Sequence, residues 1–282
     1  MSTGSGVRRA RFVVSYRGSS FRGSAFSVGV RTVVGDLSEA MAAVLRTPAT
    51  LTLAGRTDAA VHAHGQVIST DLPAETDLDD LAYRLNRMCG PDIAVRSAAW
   101  VSDDFDARFS ARWRRYRYHL WNDPIVEPLL TDLTWHVPQQ LDDVAMRDAG
   151  RHLIGEHDFT SFCRVPDPLP DGRQPSMVRR ILDMDWRQRE GSPLIRFEIT
   201  GTAFCHQMVR SIVGTLIDVG SGRIAAESIP SILEARDRSV AGRIAPGHAL
   251  VLWEVGYDDV GDPDGPPLSS QGSVDRFRDD SE

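Results

Sequence analysis

The order in which the apolar residues change period constrains this chain most. Alternation of period two and β-branched content mark strands at 9–17 (RARFVVSYR), 50–55, 66–71 and 92–101. Between them Val30, Val33, Val34, Leu37, Met41, Val44 and Leu45 recur at helical spacing, and a shorter helix fits 77–88. The order is β-α-β-β-α-β. After a loop at 102–111 it begins again, with strands at 113–121, 177–188, 193–200 and 249–257 and helices at 141–153 and 204–219. An extra helix near 227–236 interrupts the second copy. Two tandem split β-α-β (ferredoxin-like) halves predict an α+β architecture, with two antiparallel sheets backed by helices and a central cleft between them. The expected units are 8–105 and 106–257, followed at 258–282 by a tail rich in Asp, Gly, Pro and Ser, where disorder is expected. The segment 165–175 (VPDPLPDGRQP), with four prolines, reads as a mobile loop.

Composition removes several classes of function. At 282 residues and 41% hydrophobic, the chain has room for two cores. No apolar run approaches the ~18 residues of a membrane span. The opening MSTGSGVRRARF lacks the apolar centre of a secretory signal, so the cytoplasm is the expected location. Cys89, Cys163 and Cys205 are odd in number and widely spaced, which predicts buried thiols of a reducing compartment rather than a disulfide framework or a C-x-x-C site. There is no lysine: all 32 basic residues are Arg, which excludes a Walker A loop and a lysine Schiff base. The two GSG stretches, 4–6 and 220–222, stand in the wrong contexts for a dinucleotide fingerprint, so nucleotide-cofactor chemistry is not expected. The net charge of -7 opposes nucleic-acid binding only in sum, because eight of the 39 acids and two of the 32 arginines fall from Asp258 onward. The body is close to neutral and free to carry a basic face.

Three stretches carry candidate chemistry. LAGRTDAAVHAHGQVIST, 53–70, ends an apolar strand on Arg56, Thr57 and Asp58, its one carboxylate. FDARFSARWRRYRY, 105–118, holds Arg108, Arg112, Arg114, Arg115 and Arg117 among Phe109, Trp113, Tyr116 and Tyr118, with no acid from Ala107 onward. In an alternating strand Arg114, Tyr116 and Tyr118 share one face, a cation beside two phenol rings, which suits a flipped or single-stranded base. The plainer alternative is a solvated edge strand with its aromatics in the core. TAFCHQMVRSIVGTL, 202–216, reads as an amphipathic helix burying Phe204, Met208, Val209, Ile212, Val213 and Leu216, with His206, Gln207 and Arg210 near its first turns. Arg210 is otherwise an ordinary exposed arginine, and Asp58 an ordinary turn ion pair worth ~0 to 1 kcal/mol. Asp58, His62 and His64 also allow a metal reading, but no further His, Cys or Glu cluster stands nearby to complete it, so no metal is expected.

Taken together, AGRTDAAVHAHGQV, FDARFSARWRRYRY, LIGEHDFTSF, FCHQMVRSIVGTL and APGHALVLWEVGY resemble the tRNA pseudouridine synthase A family, in family order over about 10–257. The resemblance implies a cofactor-free homodimeric enzyme that isomerises uridines in the anticodon arm of tRNA. It places Asp58 at the catalytic aspartate, Tyr116 against the target base and Arg210 as the partner of the aspartate. Arg56 and Arg108 stand at arginines that assist base flipping. One carboxylate is enough for this chemistry, and a cation beside it would favour its charged form; a glycosidase would want a second. The chain departs from the family at Ser24, Ala25 and Phe26, at Val34, and at Ala60, where the family has glycine. If that glycine uses a positive φ, the alanine costs about 1 kcal/mol or shifts the loop beside Asp58. These departures bear on RNA docking and efficiency, and the alternative they leave is a tRNA-binding protein of the same fold without turnover.

Overall fold

Alternation along Val7–Tyr16 decides how the first strand, β1, lies: Ala10, Phe12, Val14 and Tyr16 are buried while Arg9, Arg11, Val13 and Ser15 keep partial exposure. It is followed by α1 (Val33–Leu45), β2 (Thr52–Leu53), β3 (His62–Pro73), α2 (Leu78–Cys89), β4 (Ile93–Trp100) and β5 (Ala111–Trp121). Then come β6 (Trp135–His136), α3 (Asp143–Arg151), β7 (Gly155–Asp158), β8 (Val178–Gln188), β9 (Leu194–Gly201), α4 (Met208–Gly220), α5 (Ile229–Ala235) and β10 (Leu250–Tyr257). This computed structural model describes residues 6–168 and 170–258. The Thr32 side chain caps α1 by accepting from Gly35 N, and Asp77 caps α2 by accepting from Asp79 N and Asp80 N, each meeting backbone donors that the first turn leaves open.

The protein is α+β, with one mostly antiparallel mixed sheet of ten strands in the order β4-β1-β3-β10-β5-β9-β8-β7, β2 lying on β3 and β6 on β5. Two antiparallel sheets are expected from the sequence; they are joined into one because β3 and β10 pair in parallel, His62 opposite Val251 and Ala63 opposite Leu252. Gly65 permits that approach, since a Cβ there would stand 2.6 Å from the Trp253 carbonyl oxygen. No local period announces a pairing between segments so distant in sequence. The inward residues of the strands join those of α1 to α4 in one core.

Other expectations are corrected by local geometry. β3 begins at His62 rather than 66, and α4 at Met208 rather than 204, because Gln207 takes the left-handed conformation (φ 66) and no helix runs through it. β6 and β7 are too short for alternation to reveal. The helix read as amphipathic is central: every residue of α4 except Arg210 is buried. Two of its polar side chains are met, Thr215 Oγ1 donating to Ser211 O and Asp218 pairing with Arg223 and Arg243 at 2.8 and 2.9 Å, while the buried Ser211 hydroxyl has no partner among the described residues. Cys163 and Cys205, expected as separate thiols, are joined in a disulfide with Cα atoms 5.9 Å apart, because the chain after Phe162 runs beside the turn entering α4 and Arg164 N donates to His206 O. Cys89 stays free, its thiol pushed up to about 11 by burial. Of the acidic tail only Asp258 is described, paired with Arg112; the rest lies outside the described residues. The segment 165–175 carries neither helix nor strand among its described residues.

Candidate active site

The connection from β2 to β3 carries Gly55-Arg56-Thr57-Asp58, so it turns at the seam where β3 meets β10. Its backbone is held by buried polar groups. Gln66, fully buried, donates to Gly55 O at 2.7 Å and to the Tyr16 hydroxyl at 3.3 Å, and the Tyr16 hydroxyl lies 2.8 Å from Thr57 Oγ1. Ser24 Oγ accepts from Thr57 N at 2.8 Å while Ser24 N donates to Thr57 O at 3.1 Å. A serine at this departure from the family pattern therefore clamps the acidic loop from behind. A buried polar group left unmet would cost about 1 to 3 kcal/mol, so the reciprocal bonds fix the loop in one place.

Asp58 faces the second half of the chain. Its Oδ2 accepts from Arg210 Nη1 at 2.8 Å, its Oδ1 lies 3.2 Å from His206 Nε2, and the side chains of Asp58 and Arg210 are each 18% exposed. Arg210 is itself oriented, its Nε donating to Ala245 O at 2.8 Å and its own carbonyl accepting from Ala245 N. Partial burial lowers the local dielectric, so this pair is stronger than the turn ion pair weighed from sequence. Ala60, two residues on, has φ 65, the conformation that glycine takes without cost.

Tyr116 reaches the same place through register: on β5 it stands opposite Leu252 of β10, which stands opposite Ala63 of β3. Its ring meets Phe204 edge to face with centroids 5.2 Å apart. Burial, with the Tyr16 and Asp58 charges adding to it, pushes the Tyr116 phenol well above its ordinary value, so it presents a neutral ring and hydroxyl. Arg56 and Arg108 are exposed and, among the described residues, neither side chain has a hydrogen bond or carboxylate partner; Arg108 lies over the Phe109 ring at 5.2 Å.

The base-stacking face expected on β5 is only partly real. Tyr118 is fully buried, its hydroxyl donating to Pro246 O, Arg114 is buried against backbone carbonyls, and Tyr116 is itself buried at 8% exposure. Nor does the opposite face lack acids: Arg117 pairs with Glu198 at 2.6 Å and Arg115 with Glu254 at 3.2 Å, and Arg117 lies over Trp253. Those acids come from β9 and β10, out of view of a local scan. His206, two residues before α4, reaches Asp58 from the turn at the left-handed Gln207, which no helical spacing in the sequence signals. Asp58, His62 and His64 do not converge on one point. His62 accepts from Gly18 N at Nδ1 and reaches His248 O at Nε2, burial pushes its titration down, and His64 stacks on Trp253, so neither ring is directed at Asp58. No metal-binding group of three His, Cys, Asp or Glu occurs among the described residues.

The class whose sequence profile this chain matches, over residues 149–258, is tRNA pseudouridine synthase. The tRNA pseudouridine synthase A of Bacillus subtilis strain 168 is 40% identical over 252 residues, covering 89% of this chain and 99% of that protein. Its counterpart in Frankia casuarinae is 40% identical over 273 residues, covering 96% and 95%. That in Anoxybacillus flavithermus is 40% identical over 253 residues, covering 89% and 100%. The chain belongs to the tRNA pseudouridine synthase A family.

Proposed function

We propose that this protein isomerises uridine to pseudouridine in the anticodon arm of tRNA, with Asp58 as the reacting carboxylate. The observation that carries the reading is the bond of 2.8 Å from Arg210 to Asp58 across the seam of the two halves. The isomerisation breaks the C1′–N1 bond, turns the uracil, joins C5 to C1′ and releases the C5 proton, so no external donor enters the balance. Arg210 fixes Oδ2 and aims Oδ1 outward, where it attacks the sugar or the base or takes a sugar proton; His206 yields that oxygen as the nucleoside docks. Leaving the stack costs the base a few kcal/mol, which the Tyr116 ring and the unpaired guanidinium groups of Arg56 and Arg108 offset. Within this reading 8–105 and 106–257 are two split β-α-β halves with the cleft at their seam, and the enzyme works in the cytoplasm as a homodimer without a cofactor.

The test is incubation of tRNA transcripts with the protein, with pseudouridine mapped by position and Asp58→Asn as control. Pseudouridine confined to the anticodon arm and absent with the variant is expected. Salt-dependent tRNA binding with no product from the wild type would instead establish the binding-protein alternative. Light scattering of the same sample should give twice the chain mass of 31.2 kDa; the single mass would remove the homodimer.

A further inference from the structure

We propose that Arg114 is a positioning residue for this reaction: its buried guanidinium is the tie that sets Asp58, Arg108 and the turn before α4 at their working separation. The inference rests on the synthase reading above. Arg114 is 9% exposed and spends its fork entirely on carbonyl oxygens. Nη1 donates to Thr202 O at 2.8 Å and Ala111 O at 3.2 Å; Nη2 donates to Arg108 O at 2.7 Å and Ala54 O at 3.0 Å. Ala54 leads into Arg56 and Asp58, Arg108 is one of the unpaired arginines, and Thr202 begins the segment bearing Phe204 and His206.

Among the described residues, no backbone hydrogen bond runs directly between any two of 54–58, 108–110 and 202–206, so the guanidinium substitutes for the missing ladder. It also stands two residues before Tyr116 on one face of β5, which ties the base-facing ring to the same frame. No carboxylate pairs with it among the described residues, and burial lowers its proton affinity; a guanidinium stays charged in proteins all the same. A cation with no counter-ion is a costly way to fill space, and an apolar side chain would pack the volume more cheaply. What an apolar group lacks is a flat array of donors that holds several acceptors at fixed angles; lysine, with three donors on one nitrogen, lacks it too.

The experiment compares wild type, Arg114→Lys and Arg114→Ala as full-length chains, with tRNA transcript and enzyme in excess for single turnovers. A shift of about 1 Å in reacting groups costs ~100-fold in rate, so Arg114→Ala should lose ~100-fold in single-turnover rate while tRNA affinity moves by less than ~3-fold. Added guanidinium should restore at least ~10-fold of that rate, and ammonium at equal ionic strength should not. If Arg114→Ala does not fold, Arg114→Lys carries the test, keeping the charge but losing ~10-fold or more in rate. In either variant, amide hydrogen exchange should quicken together at 54–58, 106–110 and 202–206 and stay unchanged at β8. Wild-type rates in Arg114→Lys, or unchanged exchange at these segments, overturns the proposal. The exchange readout needs no turnover, so a wild type that forms no pseudouridine defeats the synthase reading and still leaves the tie decided.

Discussion

Ala60 shows how one side chain enters the energetics of the site. Its φ of 65 is sterically costly for any residue with a Cβ, and the strain sits two residues from Asp58, inside a loop gripped by Ser24, Gln66 and Tyr16. Those bonds over-determine the loop, so the strain persists instead of relaxing. Ala60→Gly should raise unfolding free energy by about 1 kcal/mol in urea titrations, with turnover on tRNA unchanged or faster. An unchanged urea midpoint would show that the alanine bears no strain. Sequence comparison with the family could flag this position, because a glycine replaced beside an acid implies a backbone demand. It could not place Ser24 against Thr57, since that contact joins residues far apart in the chain.

Within elements, β5 is the informative case. Alternation placed its two faces correctly, yet composition misjudged both: Arg114 and Tyr118 are buried, and Arg115 and Arg117 find their acids on β9 and β10. A strand displays its own side chains in sequence but not those of its neighbours. His119 on the same strand carries a consequence for pH. Burial pushes its titration from 6.5 down to about 4, with Arg117, Arg196 and His62 adding to the effect. In the unfolded chain the ring takes a proton below pH 6.5 that the folded protein refuses. Its contribution is therefore complete above pH 6.5, declines as pH falls, and levels off below about 4, a loss of up to about 3 kcal/mol. Denaturant titrations from pH 7 to 4 should show a shallower decline for His119→Gln than for wild type. Parallel declines would mean that the ring titrates normally in the fold.

Across the molecule, the candidate site is assembled at the seam. β3 and β10 are joined by only two residue pairs, yet this contact brings the Asp58 loop from one half against Tyr116 and Arg210 from the other. Gly65→Val should push the strands apart, since even a Cβ meets the Trp253 carbonyl. Overpacking of this kind costs ~1 to 3 kcal/mol, lowering Tm by ~2 to 4 °C per kcal/mol for a chain of this size, and it should abolish turnover before it abolishes folding. Full activity in a folded Gly65→Val protein would detach the site from the seam.

The sequence by itself determined the α+β class and most element positions, because hydrophobic period is a local property written in order along the chain; Asp58, Arg210 and Tyr116 are picked out as candidates by the family resemblance. Only the tertiary structure decided that one sheet runs through both halves, that Cys163 meets Cys205, that Arg114 points inward and that His206 reaches Asp58. Each of these is a contact between segments distant in sequence. Its partner is selected by packing and hydrogen-bond satisfaction in the folded whole, which no local pattern encodes.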